Sequence, residues 1–310
     1  MPWDVAVSPI ALLIVFCILI TLASVAGGKL SSLLRMTHLR TQLLMSGVGG
    51  LMLGIALLHL LPHGAEVLGE SSKAGLGALL GLIVMFLMIR LFHTHDHGVA
   101  NENGGDENGH DHHDCDHRHG DTVETKRFSW VGLFFGLALH TLVDGVALAS
   151  SVLVDTQHGA WLGLAGLGTF LAVALHKPLD AFAITSLMKK QKWSESAQSL
   201  ANIAFSLACP LGAAAFYFGA TQFAGGNAIL GWGLALSAGF FIGIAMADLL
   251  PEVAFHDHDR GKLTFALILG VAVAVGIENL PGHSHASHRD VPATQGNDGH
   301  GHKHNHDHQH

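Results

Sequence analysis

Residues 137–154 read LALHTLVDGVALASSVLV, a run long and apolar enough for a bilayer, interrupted by one imidazole and one carboxylate. His140 and Asp144 are four residues apart, so on a helix both side chains leave the same face, one turn apart. The frame returns 36 residues later: Leu139-His140-x-x-x-Asp144-x-x-Ala147 is repeated as Leu175-His176-x-x-x-Asp180-x-x-Ala183. Polar side chains at such depth are costly unless they face something polar. Either pair alone is explained by an imidazole hydrogen-bonded to its own carboxylate. Two pairs at matched depth in adjacent spans instead read as four ligands for one divalent cation: His140, Asp144, His176 and Asp180. Nitrogen plus carboxylate suits Zn²⁺ and its first-row neighbours better than Ca²⁺ or Mg²⁺, which favour oxygen.

The composition agrees with a membrane setting. Of 310 residues 49% are apolar and only 13% charged, and the mean hydropathy is +0.40, whereas soluble domains carry about 25% charged residues. A net charge of −8 without a basic stripe excludes nucleic acid as a partner. Cys17, Cys115 and Cys209 are too scattered for a disulfide framework. The outlier is histidine, with 25 copies, the commonest metal-binding side chain.

A helical span needs about 20 apolar residues. Eight candidates follow: 7–27, 41–63, 74–92, 128–153, 159–187, 197–220, 228–255 and 263–281. A signal peptide is the rival for the first. Its start, Met1-Pro-Trp-Asp4, lacks a basic residue and its apolar core is long, which favours a span. Lys29, Arg35 and Arg40 follow span one, Arg90, Arg118, Lys126 and Arg127 span three, Lys189, Lys190 and Lys192 span five, and Arg260 and Lys262 span seven. The excess of Lys and Arg in cytoplasmic loops predicts both termini outside, in a cell membrane. The chain divides into spans one to three (1–92), a cytoplasmic His-rich loop (93–127), spans four and five with the metal site (128–188), spans six to eight (189–282) and a His-rich extracytoplasmic tail (283–310).

Residues 50–63, GLMLGIALLHLLPH, and 239–252, GFFIGIAMADLLPE, agree at seven of fourteen positions, including Gly50/Gly239, Gly54/Gly243 and Pro62/Pro251. Convergence within a small apolar alphabet is the alternative. An internal repeat would place span two opposite span seven, an odd number of steps away, so the two copies run in opposite senses, as in many secondary transporters. The fold class read from the chain is therefore all-α and polytopic, eight transmembrane helices in a 3+2+3 inverted repeat. Gly54 and Gly243 would let helices approach closely.

Pro178, between His176 and Asp180, lacks an N–H and predicts a kink, tolerated at depth beside a cavity. Lys177 predicts an ion pair with Asp144 or Asp180, with outward snorkelling as its alternative. His59, His63 and Glu66 at the end of span two, and Asp248, Glu252, His256, Asp257 and His258 at the end of span seven, are candidates for a secondary pathway; ordinary interfacial polarity explains them equally well. The loop 93–121 holds eight histidines (His93, His95, His97, His110, His112, His113, His117, His119) and the tail from His283 nine. Neither has apolar residues to bury, and interleaved histidines suit metal buffering.

At these residues the chain resembles the ZIP (Zrt/Irt-like) family of divalent-metal transporters. The span-four pattern H-[ND]-x-x-D-G-x-A-L appears as His140-Thr141-Leu142-Val143-Asp144-Gly145-Val146-Ala147-Leu148, and the span-five H-E-x-P-H-E type as His176-Lys177-Pro178-Leu179-Asp180. A span-six E-P-x-G looks like Cys209-Pro210-Leu211-Gly212. The resemblance implies metal uptake toward the cytoplasm through a site between spans four and five, often with two ions. The departures fall together, Thr141 for an amide and Lys177 and Cys209 for acids, where a second ion would be held, so one ion is expected here. Met52 is similar to the family's span-two methionine, which implies it as a further ligand, although core packing is the commoner role. By analogy, spans one, four, five and six would move as one body.

Two other classes share parts of this pattern. A cation-diffusion-facilitator exporter also pairs H-x-x-x-D motifs, but with about six spans and a folded cytosolic domain. An intramembrane metal-dependent hydrolase would need an open coordination position and a general base; no H-E-x-x-H motif occurs. The reading is a transporter, not an enzyme, with no catalytic cofactor. The cargo is Zn²⁺, or Fe²⁺, Mn²⁺, Co²⁺ or Ni²⁺, which accept the same ligands. The partners are these ions and the lipid bilayer, with a homodimer left open.

Overall fold

A computed structural model describes residues 8–33, 38–92, 129–157, 165–223, 225–255 and 260–279. Among them are eight segments long and apolar enough to cross a membrane: Pro9–Lys29, Leu39–Leu68, Ser71–Leu91, Trp130–Gln157, Leu167–Lys190, Glu195–Gln222, Gly226–Ala247 and Arg260–Glu278. No strand occurs among the described residues. Large apolar side chains of spans one, three and eight, such as Ile18, Leu22, Phe86, Leu87, Phe265 and Ile268, are exposed. Around a membrane protein such surface is where lipid sits.

Two prolines shape the helices. Span two is interrupted by a π-helical turn, Ala56–Leu60, before helix resumes at Leu61–Leu68. Pro62 stands just after the turn; without an N–H it leaves an upstream carbonyl unpaired, and a wider turn relieves the clash. Gly69, with φ +68°, then closes the helix, so the span ends five residues later than the sequence boundary at residue 63. Span six is two helices, Glu195–Ser206 and Ala208–Gln222. Pro210, in the first turn of the second, explains the break. Span five, in contrast, runs as one helix from Leu167 to Lys190 through Pro178, and residues 158–164 before it lie outside the described residues.

The main helix packings come in matched pairs. Span two packs chiefly on span eight and span seven on span three; span one packs on span five and span six on span four. A two-fold relation exchanging one with six, two with seven, three with eight and four with five turns each pair into its counterpart. The repeat therefore governs the packing as well as the sequence. Its glycines are contact points. A Cβ on Gly54 would lie 2.4 Å from Ala274 Cβ and one on Gly243 2.9 Å from Met85 Cγ. Gly145 and Gly212 bring spans four and six together: a Cβ on either would lie 2.2 Å from Cys209 O or 2.1 Å from Leu142 O. Without those side chains the backbones approach closely. Span one is tied to five and six by polar contacts as well, Thr185 Oγ1 donating to Gly28 O at 3.1 Å and Asn202 Nδ2 to Val25 O at 3.1 Å.

Candidate metal centre

Helical periodicity puts His140 and Asp144 on one face of span four and His176 and Asp180 on one face of span five, and the packing turns those faces together. His140 Nε2 and His176 Nε2 each lie 3.4 Å from Asp144 Oδ2, and 3.8 and 3.9 Å from Asp180 Oδ2. The two rings meet edge-on with centroids 5.5 Å apart. Both imidazoles and Asp144 are buried. All four sequence-predicted side chains are thus in one cluster, and His140, His176 and Asp180 each offer a ligand atom within 4.8 Å of the others.

The orientation of the His176 ring favours a cation. His176 Nδ1–H donates to Ala172 O at 2.7 Å, which fixes the tautomer and leaves the Nε2 lone pair facing the carboxylates. Nδ1 of His140 is buried without a hydrogen-bond partner. That orphan nitrogen carries a free-energy cost; it is Nε2, the other ring nitrogen, that faces the carboxylates.

Lys177 is fully buried, so it does not snorkel. Its Nζ lies 2.5 Å from Asp144 Oδ2 and 2.9 Å from Asp180 Oδ2, and it donates to Thr141 Oγ1 at 3.1 Å. The ammonium has three N–H bonds and three oxygens to receive them. It therefore pairs with both carboxylates, where sequence predicted one. Thr141, which accepts from Lys177, and Cys209 are both buried.

A cavity of about 510 Å³ reaches this cluster. Its wall includes His140, His176 and Asp180 at one end and Thr41, Met45 and Leu133 toward the other. Thr41 follows Arg40, and Ile89, also on the wall, precedes Arg90, so the cavity leads toward the ends of the helices that carry the basic residues. Met52 is fully buried in the apolar core. Thr41, Met45, Val48 and Met52 share one face of span two, of which the first three line the cavity.

Of the secondary candidates, His59 and His63 are buried and adjacent, their rings 4.5 Å apart. Glu66 is exposed and lies outside their cluster. The carboxylates beside them are Asp155 and Glu278, which sequence reading did not single out. Asp155 could have been found, since it continues the polar face of His140 and Asp144; Glu278, at the end of span eight, gives no such signal. The side chains of Asp248 and Glu252, and His256, Asp257, His258, the loop 93–127 and the tail, lie outside the described residues.

No curated protein matches the chain. The family model described as ZIP Zinc transporter matches residues 7–278, which covers every span. The match favours the family read from spans four and five over the exporter alternative. With a matched fold and a buried histidine–carboxylate cluster at the motif, the chain belongs to the ZIP zinc transporter family, whose members carry divalent metal ions across membranes.

Proposed function

We propose that this protein takes up one divalent ion at a time, most suitably Zn²⁺, and passes it to the cytoplasm from a site made by His140, Asp144, His176 and Asp180. The observation that carries the proposal is the convergence of these four side chains from two spans at the end of a cavity. Two carboxylates against the one ammonium of Lys177 leave a single negative charge, which one divalent ion reverses and a second would burden. Lys177, Thr141 and Cys209 thus stand in for a second ion. Met52 is proposed as a soft accessory ligand, because it lies one turn beyond Val48 on the cavity-lining face.

The excess of basic residues at the cavity end supports an opening to the cytoplasm, with both termini outside and the cell membrane as location. The division into spans one to three, the His-rich loop, spans four and five, spans six to eight and the His-rich tail is kept on the same basis. The loop and tail would buffer ions at the two faces. Uptake of radioactive zinc into proteoliposomes, with Fe²⁺, Mn²⁺, Co²⁺ and Ni²⁺ as competitors, tests the reading. Saturable uptake that these ions suppress is expected; zinc that binds without entering the lumen would overturn it.

A further inference from the structure

Span four carries a second set of polar groups that the four-ligand site does not use. Beyond Asp144, the same helix face presents Ala147, Ser151 and Asp155, at steps of three and four residues. At 1.5 Å per residue, Asp155 stands roughly 16 Å further along the helix, away from the cavity. There span two brings His59 and His63, and span eight brings Glu278.

We propose that His59, His63 and Glu278 form a second binding site for a divalent first-row ion, with Asp155 as a positioning residue behind His59. Each of the three offers a ligand atom within 4.8 Å of the other two. Asp155 Oδ1 lies 3.2 Å and Ser151 Oγ 2.8 Å from His59 Nε2. The other oxygen of Asp155 accepts from Gly166 N at 2.7 Å, which fixes the carboxylate. A histidine whose far nitrogen donates to a held carboxylate is the usual second layer of a metal site.

With Nε2–H given to Asp155, the Nδ1 lone pair of His59 faces Glu278 Oε2 at 3.2 Å. Two electron-rich atoms at that distance need a positive charge between or beside them, a proton or a metal ion. His63 Nδ1–H donates to His59 O at 2.8 Å, so its ligand atom is Nε2. Glu278 Oε1 is buried without a hydrogen-bond partner, an unmet acceptor of the kind a cation satisfies. Two imidazoles and a carboxylate are a common donor set for Zn²⁺. The π-helical turn at Ala56–Leu60 contains His59, and such turns often mark functional positions.

The internal repeat matches His59 and His63 to Asp248 and Glu252, but it does not account for Asp155 and Glu278. The offset of 36 residues puts Gln191 in the place of Asp155, and the offset of 189 that relates Gly50 to Gly239 puts Ile89 in the place of Glu278. Asp155 and Glu278 thus have no carboxylate counterpart under the repeat. An ion here would join span two to span eight on the side opposite the cavity, with span four held to span two through Asp155 and His59. The site does not depend on the four-ligand proposal, and one experiment separates them.

Crystals of the full chain grown with Cd²⁺ locate the ions by anomalous scattering. A peak among His59, His63 and Glu278 is expected, retained in His176→Ala and lost in Glu278→Gln. Asp155→Asn should weaken ion binding there by about 10–100-fold, read from peak occupancy against Cd²⁺ concentration. A peak at His140 and His176 with none here overturns this inference alone, and means His59 carries only a proton. No peak at either place overturns both readings. A peak only here supports this site and removes the four-ligand one.

Discussion

The ammonium of Lys177 lies 2.5 Å from Asp144 Oδ2, with both side chains almost wholly buried. Lys177 also reaches Asp180, so one fixed charge sits among the carboxylates that face the two imidazoles. Lys177→Glu exchanges an ammonium for a third carboxylate, and two divalent ions then leave the same net charge that one leaves in the native site. Ions bound per chain, measured by mass spectrometry of the purified protein, should rise by one relative to wild type. The histidines of the loop and tail contribute equally to both proteins and cancel. An unchanged ratio contradicts the role given to the lysine.

Gly212 presses against span four so closely that a Cβ would lie 2.1 Å from Leu142 O, two residues from both His140 and Asp144. Gly212→Val should push the spans apart and displace the ligands, with zinc uptake falling at least about tenfold, a loss of about 1.4 kcal/mol or more in binding. Gly219, on the same span with nothing within 4 Å of a Cβ, serves as the control: Gly219→Ala should leave uptake as it is. Equal loss in both variants would mean that the close approach does not position the site.

Met52→Leu separates packing from ligation. The exchange conserves volume, so thermal unfolding should register a cost below about 1.5 kcal/mol. A thioether ligand favours soft ions, so Cd²⁺ binding should weaken more than Zn²⁺ binding. Parallel titrations of the two ions that show equal affinities in both proteins would return Met52 to the core.

Much of this arrangement is legible in the sequence, for physical reasons. The eight spans follow from apolar length, and the facing of His140, Asp144, His176 and Asp180 from a spacing of four within helices and a spacing of 36 between them. The repeat in 50–63 and 239–252 anticipates the matched packing of span two on eight and seven on three. Other features depend on neighbours distant in sequence. Lys177 could be assigned to a carboxylate but not to both, because the choice depends on how spans four and five approach. Glu278 could not be placed beside His59, 219 residues away, and Glu66, nearer in sequence, is exposed instead. The break before Pro210 was readable in principle, since a proline cannot take a helix-interior position without cost.

The most direct test of the four-ligand site compares zinc uptake into proteoliposomes by wild type and by His176→Ala, both reconstituted to equal density. His176 contributes one of two imidazoles facing Asp144, and losing a ligand should lower uptake at limiting zinc by at least about 100-fold, the upper end of what losing a supporting residue costs. Uptake by His176→Ala that matches wild type would contradict it.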